Sequence, residues 1–254
     1  MTKKRIGLTI LVLIVALVGY SFIPNQFPVY ETQVSEAPEG GHHVLIFGAT
    51  RNSGFETAKI LIERGDRVTA FVRPSSDRSQ LEALGAEFVV GDAMDLPSVE
   101  AAFVDNTYTS VVTTIACFSC DPKPDFIGNR NIFDAAEAAG VKRMILMTTV
   151  GSGDSYDAAP FPARNFLKDI LPLKTQAEDH LMASSLDYTI IRPGGLKSGP
   201  ATGRAYLSAS REAFGIINRA DLAGLVVNII DDNSTIGEIF AAMDADMVFP
   251  WSMM

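Results

Sequence analysis

The distribution of hydrophobic residues separates a short N-terminal segment from a longer region that alternates between two periodicities. In the longer region, continuous apolar runs typical of buried parallel strands alternate with stretches whose apolar residues recur at helical spacing. The pattern predicts strands at 43–47, 67–72, 87–90, 110–115, 141–148, 188–191 and 238–242, and helices at 53–64, 81–84, 97–103, 125–139, 174–184 and 220–230. This order predicts an α/β fold, a doubly wound parallel sheet covered on both faces.

The N-terminal segment predicts a transmembrane helix. Three cations precede the uncharged apolar run 6–23, which as a helix would extend roughly 27 Å, enough for the hydrocarbon layer of a bilayer. Because the run lacks a small-residue cleavage site, an uncleaved signal anchor (1–23) is favoured over a signal peptide. We therefore expect a single-pass membrane protein with a tether at 24–41 and a globular domain at 42–254. The side of the membrane that the domain occupies stays open.

The charge and the histidine content argue against nucleic-acid binding and against a metal site. The chain has 21 Lys+Arg against 30 Asp+Glu, a formal charge of −9, which argues against nucleic-acid binding by charge. None of the three histidines has a partner at metal-ligand spacing, so no metal site is predicted. The partner expected is a small-molecule substrate, and the oligomeric state is left open.

The turn after the first predicted strand is typical of a dinucleotide site. It reads Gly48-Ala49-Thr50-Arg51-Asn52-Ser53-Gly54 and joins a strand to a helix. Gly48 permits a tight turn and Gly54 permits close packing of helix on strand, while the amides around Thr50 and Asn52 would hold a pyrophosphate. Arg51 replaces the usual middle glycine, so the fingerprint is imperfect.

The end of the second predicted strand indicates which dinucleotide is bound. An acidic residue there would bind the ribose hydroxyls of NAD, but this chain has Arg73. A guanidinium suits a 2′-phosphate, and Arg51 is placed to flank it, so NADP is favoured over NAD. The alternative is that Arg73 is a solvated charge at a strand end.

The only two cysteines, Cys117 and Cys120, form a Cys-Phe-Ser-Cys sequence after the fourth predicted strand. A redox dithiol, a disulfide and a pair of half-buried thiols are all compatible with this spacing. Zinc would need two further ligands, for which the chain has no second pair.

Several of these features together resemble the atypical short-chain dehydrogenase/reductase family, in its NAD(P)H-binding branch. The resemblance is carried by Gly48–Gly54, Gly91-Asp92, Gly128–Asn131, Lys174–Glu178 and Leu186–Leu196. It implies a Rossmann-like fold with Asp92 near the adenine, Pro193 and Gly194 near the nicotinamide, and a substrate-facing region from about 194 to 217. Ala93 and Thr114, at two further strand ends, complete the predicted cofactor site.

The chain departs from this family at the catalytic position. Such enzymes often use a YxxxK pair, but four residues before the matching Lys174 stands Ile170, which cannot transfer a proton. Thr149 matches the family's serine, and Tyr156 is the nearest alternative tyrosine.

We therefore expect an NADP-dependent oxidoreductase that acts on a small carbonyl or conjugated substrate. In this hypothesis Lys174 orients the nicotinamide ribose and Thr149 donates a hydrogen bond to the substrate oxygen. The alternative is a nucleotide-binding scaffold or assembly factor without catalysis. A sugar-nucleotide epimerase is less favoured because such enzymes usually need the missing tyrosine.

Overall fold

The computed structural model describes residues 27–32, 39–104 and 107–247. The strands are β1 His43–Phe47, β2 Arg67–Val72, β3 Glu87–Val90, β4 Ser110–Thr113, β5 Arg143–Met147, β6 Asp187–Pro193, β7 Gly195–Lys197, β8 Ala205–Ser208, β9 Ile216–Asn218 and β10 Glu238–Asp244. The helices are α1 Asn52–Arg64, α2 Ser79–Leu84, α3 Leu96–Ala101, α4 Ile127–Ala138, α5 Phe161–Leu167, α6 Leu171–Met182 and α7 Arg219–Ile230, with short 3₁₀ helices at Gly153–Ala158 and Asn233–Thr235.

The main sheet has eight strands in the order β3-β2-β1-β4-β5-β6-β10-β8. All neighbouring strands are parallel except β10 and β8, which are antiparallel, and β7 pairs with β9 in a separate small sheet. The predicted Rossmann-like parallel sheet is confirmed, and each predicted strand and helix is present with small shifts at its ends. β7, β8, β9 and α5 were not predicted, because their short apolar runs have no clear periodicity.

Helices cover both faces of the sheet because successive strand residues point to opposite sides. In β1, Val44 and Ile46 face a hydrophobic cluster that includes residues of α1 and α7. Leu45 and Phe47 face the other cluster, to which α3, α4 and α6 contribute. This two-sided burial explains why the central strands are continuously apolar.

Part of the predicted tether lies against the domain. The Tyr30 amide donates to the carbonyl oxygen of Leu207 in β8 at 2.8 Å, and the Tyr30 ring lies 4.5 Å from that of Phe240. Tyr30 therefore pairs with the edge strand of the sheet.

The prediction of a membrane-anchored protein is corrected here. Within residues 27–32, 39–104 and 107–247, no helix is both long and apolar enough to cross a bilayer. The apolar run 6–23, on which the prediction rested, lies outside the described residues.

Candidate functional site

A cleft of about 710 Å³ opens at the carboxyl ends of the parallel strands. It lies where strand order reverses between β1 and β4, the position at which doubly wound sheets bind ligands. Most of the predicted site residues line it: Gly48, Thr50, Arg51, Asn52, Arg73, Asp92, Ala93, Thr114, Thr149 and Lys174. Gly54, Pro193 and Gly194 are not part of its lining.

The turn between β1 and α1 has a geometry that requires its two glycines. Gly48 has φ +88°, and a Cβ on it would lie 2.6 Å from Thr114 Oγ1. A Cβ on Gly54 would lie 2.3 Å from the carbonyl oxygen of Gly48. Asn52 also has a positive φ, of 55°. The turn thus brings the N-terminus of α1 to the cleft, where its free amides attract an anion.

Arg51 and Arg73 place two exposed cations at one end of the cleft. Within the described part of the chain, neither guanidinium has an acidic partner at ion-pair distance, whereas the nearby Arg78 pairs with Glu82 at 2.8 Å. In a chain with a net charge of −9, this local excess of positive charge fits an anionic ligand.

The loops after β3 and β4 are held by two buried asparagines of α4. Asn131 Nδ2 donates to the carbonyl oxygen of Ala93 at 2.9 Å. Asn129 accepts from Thr113 Oγ1 at 2.7 Å and donates to the carbonyl oxygen of Asp125 at 2.8 Å. The Gly128–Asn131 motif therefore fixes the wall of the cleft around Ala93 and Thr114.

Lys174 reaches the cleft from α6 as part of a buried ion pair. Its Nζ lies 3.2 Å from Asp125 Oδ1, and the two residues are 6% and 0% exposed. Asp125 Oδ2 accepts from the amide of Cys117 at 3.3 Å. The carboxylate thus orients the ammonium, a role that the sequence did not reveal because a lone aspartate before a helix is commonly a cap.

The hydroxyl groups considered for proton transfer lie in different places. Thr149 lines the cleft and donates to the carbonyl oxygen of Pro193 at 3.3 Å. Tyr156 lies outside this cleft, in a separate shallow pocket with Gly153 and Thr175. Ile170 is buried. Within the described residues no tyrosine lines the cleft.

Two of the family motifs meet in a charged network behind the cleft. Arg192 donates to Glu178 Oε1 at 3.0 Å and to Oε2 at 2.7 Å, and Glu178 also accepts from Thr148 Oγ1 at 2.5 Å. Asp154 pairs with Arg192 and, at 2.6 Å, with Arg211. Burial raises the pKa of Asp154, but the two guanidinium groups outweigh it and hold that pKa below its ordinary value.

The other end of the cleft has an apolar wall and an additional cation. Phe118, Leu167 and Leu196 line it, and the Phe118 ring lies 5.5 Å from that of Phe166 in α5. Arg219 lines it too and donates from Nη1 to Ser198 Oγ at 3.1 Å. Its Nε is buried and makes no hydrogen bond within the described structure. The sequence did not single out Arg219, since its placement depends on the short strand β9, which was not predicted and which leads directly into α7.

Cys117 and Cys120, in the same wall, form a disulfide with a Cα–Cα distance of 5.4 Å. Of the three interpretations of this cysteine pair, the structure supports the disulfide.

The fold and the cleft together define a dinucleotide-binding Rossmann protein. The chain belongs to the NAD(P)H-binding family, whose model matches residues 48–233, and the resemblance to the atypical short-chain dehydrogenase/reductases is confirmed. It is similar to an uncharacterized sugar epimerase, YhfK, of Bacillus subtilis, with 29% identity over 80% of this chain and 94% of that one. Sanguinarine reductase of Eschscholzia californica is 29% identical over 74% and 84%. The structure of ChuY, an anaerobilin reductase of Escherichia coli O157:H7, has a TM-score of 0.74 with 30% identity, covering 81% of this chain and 98% of that one.

The relatives also bear on the predicted membrane localisation. Two that carry a location in their names, the At2g34460 protein of Arabidopsis thaliana and TIC 62 of Oryza sativa, are called chloroplastic. Together with the lack of a spanning helix among the described residues, this overturns that prediction.

Proposed function

We propose that this protein is an NADP-dependent reductase of a conjugated, largely apolar substrate. The observation that carries the choice of cofactor is the pair of uncompensated cations, Arg51 and Arg73, beside the phosphate turn. A planar guanidinium can bind two oxygens of a phosphate, which NADP has on its ribose and NAD lacks. The steric constraints at Gly48 and Gly54, which leave that turn open to a pyrophosphate, support the fit of a dinucleotide.

The residues at the other end of the cleft support reduction without a tyrosine. Reduced nicotinamide supplies a hydride when it is bound. Lys174, held by Asp125, binds the ribose hydroxyls. Thr149 turns its hydroxyl hydrogen from the carbonyl oxygen of Pro193 to the substrate oxygen. Because no tyrosine lines the described cleft, water delivers the proton.

The substrate class is proposed from the lining and from the relatives. Phe118 is 57% exposed and Phe166 is 73% exposed, and apolar side chains left open beside a cleft favour an apolar ligand. Two relatives are named as reductases of sanguinarine and of anaerobilin. We extend to this chain only their general chemistry, the reduction of a conjugated system.

Replacing Arg73 by alanine tests the proposal. We expect the Kd of NADPH, measured by its fluorescence, to rise at least about tenfold, since a charged hydrogen bond to phosphate is lost. The Kd of NADH should stay unchanged. Arg78→Ala, which removes a cation already paired with Glu82, is the matched control and should change neither value.

A second measurement addresses catalysis. We expect NADPH oxidation by at least one member of a panel of quinones and enones, and we expect the rate of this oxidation to fall in Lys174→Met.

Equal affinity of the unaltered protein for NADPH and NADH would contradict the choice of NADP. Tight NADPH binding without turnover of any panel member would favour the non-catalytic scaffold.

A further inference from the structure

The loop after β4 is closed by a disulfide that faces the cleft. Cys117 and Cys120 are bonded, and both line the cleft and are partly exposed. Neither belongs to the two large hydrophobic clusters that flank the sheet. Thiols exchange with disulfides that they can reach, and exposed disulfides are in general the labile ones. This bond is therefore placed where a thiol can attack it.

The same loop contacts two parts of the cleft, the Asp125–Lys174 ion pair and the apolar wall. Cys117 donates its amide to Asp125 Oδ2 at 3.3 Å, and Asp125 is the ion-pair partner of Lys174. Phe118 lies between the two cysteines and packs its ring 5.5 Å from Phe166. Opening the disulfide therefore frees the apolar wall around Phe118, while Asp125 stays held by its buried ion pair with Lys174.

We propose that Cys117–Cys120 is a thiol–disulfide exchange site for a dithiol, and that its oxidation state sets the affinity of the cleft for an aromatic substrate. A thiolate of the dithiol attacks Cys117 Sγ, the Cys117–Cys120 bond breaks, and a mixed disulfide forms. Cys120 leaves as the thiolate, next to Lys123, whose Nζ lies 3.3 Å from the carbonyl oxygen of Cys120. A neighbouring cation makes a thiolate a better leaving group.

The second thiol of the reductant then displaces Cys117. The reductant ends as a disulfide, two electrons pass to the cysteine pair, and the two protons of the dithiol end on Cys117 and Cys120. Once the short ring is open, Phe118 has more conformations to lose when a ligand binds. Loss of this preorganisation weakens binding.

Alkylation of the full-length native protein tests the exchange. After incubation with dithiothreitol and then with an alkylating agent, intact mass spectrometry should show alkylation of both cysteines without denaturant. A second sample, freed of dithiothreitol in air before the alkylating agent is added, should keep the unlabelled mass. Cys117→Ala/Cys120→Ala should take up no label. If the native protein stays unlabelled while the same protein labels fully after denaturation, the site does not exchange and the proposal is overturned.

Calorimetry with 6(5H)-phenanthridinone, a conjugated aromatic lactam that does not oxidise thiols, and the NADP⁺ complex tests the effect on the cleft without requiring turnover. This part rests on the proposed function. We expect reduction to raise the Kd of phenanthridinone about fivefold, as expected for a lost preorganised contact, and to leave the Kd of NADP⁺ unchanged.

For Cys117→Ala/Cys120→Ala, the Kd of the aromatic probe should equal that of the reduced protein and should not change with dithiothreitol. An unchanged Kd of NADP⁺ shows that the variant is folded. Equal phenanthridinone affinity in both redox states would overturn the coupling. Absence of phenanthridinone binding to either form would contradict the coupling and the proposed substrate class together, while the alkylation result would still decide the exchange.

Discussion

Arg219 places a guanidinium at the cleft whose Nε is buried without an acceptor in the described structure. An unsatisfied buried donor costs stability, and a functional site is where such a cost is commonly retained. An anionic group of the cofactor or of the substrate that pairs with this guanidinium would offset the cost.

Arg219→Leu should therefore raise stability while it weakens ligand binding. We expect the free energy of unfolding in urea to rise by about 1 kcal/mol, because an unsatisfied donor is removed. The Kd of NADPH or of an anionic aromatic ligand should rise about tenfold for loss of a charge-assisted contact.

Arg204→Leu is the control, since Arg204 is exposed and pairs with Asp246 at 3.4 Å away from the cleft. Lower stability of Arg219→Leu with unchanged affinity for both kinds of ligand would show that Arg219 is structural only.

The Glu178–Arg192 pair joins α6 to β6. Both side chains are almost fully buried. Removing Arg192 leaves a buried carboxylate without its cation, and removing Glu178 leaves Arg192 with only the exposed Asp154 as its partner. The pair also reaches the loop after β5 through Thr148 and Asp154. It therefore positions the segment that carries Thr149.

A double-mutant cycle measures this coupling. Glu178→Met and Arg192→Met should each lower the free energy of unfolding by about 3–5 kcal/mol, and the double variant should lose much less than the sum. Urea titrations give the values. Lys59→Met, which removes an exposed pair with Glu63, should cost no more than about 1 kcal/mol. Additive losses would contradict a coupled pair.

His43 makes the free energy of unfolding of the whole domain depend on pH. Burial lowers the pKa of His43 from its ordinary value of 6.5, and the charge of Arg67 lowers it further. The unfolded chain therefore binds a proton that the folded chain does not, and stability falls as the pH drops below about 6.5. His43 Nε2 lies 2.9 Å from Thr69 Oγ1, so the affected contacts join β1 to β2.

His43→Gln should reduce this acid sensitivity. Comparing urea midpoints at pH 7.5 and 5.5, the difference should be smaller in His43→Gln than in the unaltered protein. His180→Gln is the control because it removes a histidine from α6, where His180 lies beside Asp134 and not between β1 and β2. An unchanged pH difference in His43→Gln would show that other groups cause the acid sensitivity.

The sequence was sufficient to predict those features whose contacts are local or follow from a regular hydrophobic pattern. The buried strands and the Gly48–Gly54 turn depend on short-range periodicity and backbone sterics, so both could be predicted. Asp125 and Arg219 could not, because their roles depend on partners distant in sequence. The antiparallel β8 was missed because its short apolar run has no clear periodicity, and its pairing depends on the distant β10.

The position of β10 has a consequence for how the protein is made. Glu238–Asp244 lies between β6 and β8 and pairs with both, although both precede it in the chain. Until the ribosome has released these residues, β6 has an open edge and β8 has no neighbour in the main sheet. Open strand edges pair with other chains, so the nascent protein is exposed to aggregation until its last described strand is inserted.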